Sequence, residues 1–247
     1  MLIGCGFVWQ AWPAEHGSGF WFGGKELSVG EAKATLKELA TMAIAAQGDG
    51  EGTALSTYHP STPLGRRFKD CYQEIVESKK AFDATTRKRS PEELFAPERM
   101  ARAEGRRSAL ADITILEESL GAHHSRHSAI LHKLFAELFA ENPTASRDAL
   151  TAVEGRLRQL SEGAGKMYNE YRRIVRFFET ASFTVEDGKC VFSESRDLEL
   201  INRLLDSATD AETKYEQLNA DFIKHSKESM DRALQGLDLD GSKNGTR

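Results

Sequence analysis

The chain has 247 residues, of which 40% are hydrophobic and 29% charged, with a formal net charge of −5, a composition that fits a water-facing, helix-rich protein of one or two cores. So mild an acidic balance leaves no electrostatic footprint for nucleic acid. No stretch reaches the roughly 18 consecutive apolar residues of a membrane-spanning helix, and Cys5, Cys71 and Cys190 are too widely spaced for a zinc site or a CxxC redox pair.

Residues 1–27 read as a leader-like or membrane-proximal segment rich in aromatics and glycine. Trp9, Trp12 and Trp21 all fall there, with Phe7, Phe20 and Phe22. Leu2-Ile3-Gly4-Cys5 has the form of a bacterial lipobox. A basic region and an apolar region of about 7–15 residues precede such a motif. Two readings follow. Either the start lies upstream and Cys5 carries a lipid, or the match is chance and the aromatics pack on the body. A diacylated cysteine anchors stably, and tryptophan suits the membrane interface. On the lipidated reading Cys71 and Cys190 remain, with two alternatives equally open: a disulfide in an oxidising compartment or two buried free thiols. Gly17 to Gly24 reads as a loop or short strand.

Residues 28–240 read as a single helical domain. Ser28-Val29-Gly30-Glu31 is a capping box that starts a helix, ended near Gln47 by the linker Gly48–Gly52. A second helix, about Leu64 to Arg87, places Leu64, Phe68, Cys71, Ile75, Lys79 and Phe82 on one face. Ser90-Pro91-Glu92-Glu93 is an N-cap followed by proline and acid in the first turn. Pro97 then limits 91–95 to a turn of helix. From Glu98 to Ala140 the pattern is helical, with Gly105 and Gly121 as candidate bends.

Between Ser146 and Phe178 the apolar positions Leu150, Val153, Leu157, Leu160, Ala164, Met167, Tyr171, Ile174 and Phe178 step by three and four without a miss, the seam of a helix packed lengthwise on partners. Asp187-Gly188 then signals a two-residue hairpin turn. That turn sets Glu186 opposite Lys189, Val185 opposite Cys190 and Phe183 opposite Phe192, with an apolar face that needs cover. A second heptad run follows: Ile201, Leu204, Ala208, Ala211, Tyr215, Leu218 and Phe222. Ser146–Phe178 carries seven Lys/Arg against four Asp/Glu, and Glu194–Arg232 six against ten, so the two helices are expected to pair antiparallel. Gly155, Gly163 and Gly165 in the first of them mark either a close backbone neighbour or a bend. Residues 241–247 read as a disordered tail.

The one concentration of metal-type ligands is His123, His124 and His127. Bundle metal sites use such three- and four-residue spacings with glutamates from facing positions, here Glu117. His127 is inward on either way of phasing the seam. A polar layer that fixes helix register is the competing account, so cofactors are expected to be none, with a divalent metal as the alternative. There is no nucleophile-elbow or phosphate-cradling motif. Arg172, Arg173 and Arg176 read as a surface charge run.

The segment SFTVEDGKCVFSESRDLELINRLLDSA, residues 182–208, together with the heptad helix before it, resembles the C-terminal part of a family of uncharacterised bacterial helical lipoproteins. The shared features are the Asp-Gly turn, Phe192 closing the second strand, Asn202 in the last helix, and the lipobox-like start. The resemblance covers a minor part of the chain. It implies a cell-envelope location and no known activity.

The expected fold is all-α, an elongated antiparallel bundle with one β-hairpin at about 182–192. The expected role is that of a non-enzymatic envelope lipoprotein facing the periplasm, anchored through Cys5 and binding or scaffolding a protein partner through helical surfaces. A cytosolic coiled-coil interaction protein is the first alternative, and a metal-binding bundle using His123, His124, His127 and Glu117 the second.

Overall fold

A computed structural model describes residues 20–22, 25–27, 30–31, 34–35, 37–38, 58–138 and 143–243. In chain order the elements are β1 (Phe20–Phe22), β2 (Lys25–Leu27), α1 (Pro63–Thr86), α2 (Pro91–Leu94), α3 (Pro97–Met100), α4 (Ala103–Leu138), α5 (Pro143–Thr180), β3 (Phe183–Glu186), β4 (Lys189–Phe192) and α6 (Ser195–Lys243). Residues 30–31, 34–35 and 37–38 are also helical, in keeping with a helix that starts at the capping box. The fold is all-α, a helical bundle with a hairpin between its last two long helices. None of the described helices is long and apolar enough to cross a membrane.

One correction concerns the strands. Beside the expected hairpin there is a second, in which β1 pairs antiparallel with β2 and Phe20 faces Leu27. The two strands flank Gly23-Gly24, a dipeptide suited to tight hairpin turns, whose signal is masked in the sequence by the surrounding glycines. A second correction concerns the C-terminus: α6 runs to Lys243, past the Gly241 where a disordered tail was expected, and residues 244–247 lie outside the described residues.

The chain divides into two compact units, the first made of residues 1–80, 125–157 and 220–247, the second of 81–124 and 158–219. In the first, α1 buries Phe68, Cys71, Tyr72, Ile75 and Val76. This stripe is wider than the expected face because Tyr72 and Val76 follow their neighbours at one-residue offsets. α4 contributes Ile130, Leu131, Leu134 and Phe135, and α5 contributes Val153 and Leu157.

The second unit is organised on the later part of α5. Every seam residue from Leu160 to Phe178 is buried, and Tyr168, Val175 and Phe177 are buried beside them. A helix buried over so wide an arc packs on more than one neighbour. α6 packs along it through Ile201, Leu204 and Ala208, and the pairing is antiparallel. The backbone N–H of Ser182 donates to Asp197 Oδ2 at 3.1 Å, the Tyr171 hydroxyl donates to Glu212, and Gly163 lies against Leu218 and Tyr215. As one residue number falls the other rises, which is the order the charge balance implied.

The hairpin has the expected register, with Phe183 opposite Phe192, Val185 opposite Cys190 and Glu186 opposite Lys189. Asp187 and Gly188 both have positive φ, 49° and 70°, as a type I′ turn requires. The inward face is covered by α5: the Phe178 ring sits 5.0 Å from Phe183 and the Phe177 ring 5.7 Å from Phe192. Edge-on and tilted aromatic contacts of this kind add to simple area burial.

Candidate functional site

The histidines sit together in sequence on α4, yet each is used separately. The ring of His123 stacks on Phe82 with centroids 6.1 Å apart. His124 Nδ1 and the Ser161 hydroxyl of α5 are hydrogen-bonded at 2.7 Å. His127, only 2% exposed, belongs to the other unit. Glu117 is paired with Arg172 of α5. The rings of His123 and His124 lie near each other, with centroids 5.8 Å apart, but their other partners differ, Phe82 for the one and Ser161 for the other. Among the described residues no three of His, Cys, Asp or Glu come together in a way that could hold a metal ion. The grouping of His123, His124, His127 and Glu117 as a ligand set is therefore corrected, while the inward placement of His127 agrees with both seam counts.

The contact between His124 and Ser161 has the composition of a base and a hydroxyl nucleophile. Burial, with the charge of His123 added, lowers the His124 imidazole from 6.5 to about 4. General-base efficiency is greatest when the pKa lies near the working pH. A ring that weakly basic, bonded to an exposed serine, tethers α4 to α5 and is poorly suited to activating the hydroxyl near neutrality. In the first unit His132 Nε2 donates to Glu154 Oε1 at 2.5 Å and joins the same two helices.

Cys71 and Cys190 are free thiols, the second of the two alternatives left open by the sequence. Cys71 is buried on α1 in the first unit, and Cys190 lies on the inward face of the hairpin in the second. Burial first, and the carboxylate of Glu98 second, push the Cys190 thiol above its usual value, so the reactive thiolate is disfavoured. Cys5 lies outside the described residues. Of the arginine run, Arg172 pairs with Glu117, and Arg173 Nη1 donates to Glu170 at 2.7 Å, three residues earlier.

Two polar nodes were not read from the sequence because their members are far apart in it. Asp112 on α4 receives Arg89 Nε at 2.8 Å and Arg99 Nη2 at 2.5 Å. Arg99 also donates to Ser108 Oγ and to the carbonyls of Glu93 and Gly105. This clasp holds the turn between α1 and α4, where Arg106 also donates to the Met100 carbonyl at 2.6 Å. The helix expected to run on from Glu98 is instead broken at Ala101-Arg102, just ahead of Gly105, which was a candidate bend. Burial opposes ionisation of Asp112, but the arginine hydrogen bonds and charges outweigh it and hold the carboxyl below its usual range. The second node is the buried Tyr171, whose hydroxyl donates to Glu212, with Tyr168 edge-on at 6.1 Å.

The remaining feature is a surface. Among the described residues five large apolar side chains are exposed, and four of them fall in one fifteen-residue segment: Val191, Leu198, Leu200 and Leu205, with Ile115 the fifth. Leu198 is 49% exposed and Leu205 44%. Seven residues is two helical turns, so these two leucines share a face of α6. Asn202 and Thr209, both exposed, continue that face in a four-three-four step. The stripe runs beside the buried seam of Ile201, Leu204 and Ala208, while Leu200, about 200° round from Leu198, is on the other flank. The sequence signal was present in the Leu-x6-Leu spacing, overshadowed by the stronger seam one residue out of phase.

Compared with models of known protein families, with curated proteins and with solved structures, the chain finds no match in any of the three.

Proposed function

We propose that this chain is a non-catalytic interaction protein of the bacterial cell envelope, a helical bundle that binds or scaffolds a protein partner through an outer helical face and is held at the membrane by lipid on Cys5. The observation that carries the binding part is the gathering of exposed Val191, Leu198, Leu200 and Leu205 in one segment. A bundle that buries its heptad seams this thoroughly has little reason to leave leucines in water unless another surface covers them. The polar groups most suggestive of chemistry support the same reading: Asp112, Glu117, His124 and Glu212 each hold neighbouring elements together. The envelope location draws on Leu2-Ile3-Gly4-Cys5 and on the resemblance of residues 182–208.

Growth of the source cells with a clickable fatty acid tests the anchor. Label is expected on the wild-type chain and lost in Cys5→Ser; an unlabelled wild type overturns the anchor. A photo-crosslinking residue placed in turn at Asn202 on α6 and at Arg173 on α5 tests the partner. A discrete protein adduct from one of these faces is expected, and its absence from both overturns the interaction reading.

One observation favours a second reading, a cytosolic coiled-coil interaction protein: Cys71 and Cys190 are not joined, and thiols persist in reducing compartments. That reading predicts crosslinked adducts from a chain that is never acylated and fractionates with the cytosol.

A further inference from the structure

We infer that the Leu198–Asn202–Leu205–Thr209 stripe of α6 is the docking surface for a basic amphipathic helix of the partner protein, an inference that rests on the reading of the chain as a partner-binding bundle.

The stripe has the geometry of a coiled-coil half-seam. Its positions alternate four and three residues on a helix already made rigid by its packing on α5, so little ordering is needed when a second helix lies along it. Leu198 and Leu205 offer apolar contact two turns apart. Asn202 between them is a polar group at a seam position, the device that fixes partner register in two-helix contacts.

Charge selects the occupant. From Val191 to Asp210 the chain carries Glu194, Asp197, Glu199, Asp206 and Asp210 against Arg196 and Arg203, a balance of −3. Glu199 and Asp206 are exposed and each follows a stripe leucine directly, which is where flanking charges choose a coiled-coil partner. A helix with lysine or arginine beside its aliphatic positions is complementary. A second copy of this chain is not, because the same stripe from another molecule would set acid against acid. Outside residues 191–205 the large exposed apolar residue among those described is Ile115 on α4, which has no companion with which to form a matching stripe.

The test uses the full chain and two synthetic helices with identical leucine heptads, one flanked by lysine and the other by glutamate, with binding read by fluorescence anisotropy. The lysine helix is expected to bind at least about tenfold tighter, with the preference lost at high salt. Leu198→Ser with Leu205→Ser is expected to weaken it about tenfold without changing the far-ultraviolet circular dichroism, since both side chains face water. Glu199→Lys with Asp206→Lys is expected to reverse the order of the two probes. Equal binding of both helices, binding of neither, or a preference that survives the charge reversal overturns the proposal. So does a dimer of the chain alone, seen by sedimentation and abolished in the double-serine variant, because a second copy then occupies the stripe. Crosslinks from Arg173 but not from Asn202 overturn the stripe while the partner-binding reading stands; adducts from neither face overturn both.

Discussion

Gly163 of α5 meets Leu218 of α6 so closely that a side chain there would make the leucine shift: a Cβ built on the glycine would stand 2.9 Å from Leu218 Cδ1 and 4.0 Å from the Cα of Tyr215. The glycine lets the two helices come close there, and its poor helix propensity, about 1 kcal/mol against alanine, is the cost of that approach. Gly155, on the same helix, has nothing within 4 Å of its notional Cβ. The two positions should therefore respond in opposite directions. Gly163→Leu is expected to lower stability by about 1–3 kcal/mol through overpacking, and Gly155→Ala to raise it by about 0.5–1 kcal/mol. Urea unfolding of the two variants measures both signs.

The tyrosines of the second unit predict an alkaline limit. Burial, then the bond to Glu212 and its charge, raise the Tyr171 phenol well above its ordinary value of 10.0; burial does the same for Tyr168 and Tyr215. When folding raises a pKa, the unfolded chain gives up its proton first as pH rises. The stabilisation is therefore complete below about pH 10 and is lost above it. Tyr171→Phe is expected to cost about 1–2 kcal/mol at neutral pH through the lost hydrogen bond to a charged acceptor. It should also flatten the fall in stability between pH 10 and 11. A neutral-pH stability equal to wild type would show that the hydroxyl contributes nothing.

Asp112 predicts the opposite limb. Its carboxyl is held below the ordinary 3.8 by Arg99 and Arg89 against the opposing effect of burial. A depressed carboxylate stabilises the fold above its unfolded pKa, and that stabilisation is lost as pH falls through the folded value. Asp112→Ala strands two guanidinium groups that are each only about a fifth exposed, so a loss of about 2–3 kcal/mol at pH 7 is expected. Acid titration of this variant should show a shallower fall below pH 4 than wild type. The same clasp forbids a side chain at Gly105, whose Cβ would lie 2.1 Å from the Arg99 carbonyl oxygen, so Gly105→Ala should be at least as damaging as Asp112→Ala.

How far the sequence discloses these features follows the range of the interactions. The α5 seam, the α6 seam and the 183–192 register all rest on patterns that repeat within a few residues, and the burial of Val153 to Phe178 and the pairing of Phe183 with Phe192 agree with them. Interactions between distant segments leave no such trace. Nothing near Asp112 announces Arg89, and nothing near Tyr171 announces Glu212, 41 residues away. The histidines show the reverse failure. Their closeness in sequence suggested a common site, but the 100° step between adjacent helical residues turns His123 to Phe82 and His124 to Ser161. Local periodicity predicts which face a residue occupies and cannot say what waits there.

His124 offers a last, separable test. Its ring is lowered from 6.5 to about 4 by burial and by His123. In the unfolded chain the imidazole takes up its proton near 6.5, while the folded ring resists until about pH 4. The unfolded state therefore binds more protons in that window, and stability rises with pH across it. Acidification from pH 7 to pH 4 is expected to remove on the order of 1–3 kcal/mol on account of this group. His124→Gln keeps a polar partner for Ser161 and has no proton to gain, so its stability should vary less over the same window. Direct observation of the ring by two-dimensional NMR decides the matter. A His124 signal that titrates near 6.5 in the folded protein would mean that the ring is open to water, and that the tether to Ser161 does not hold it in the bundle.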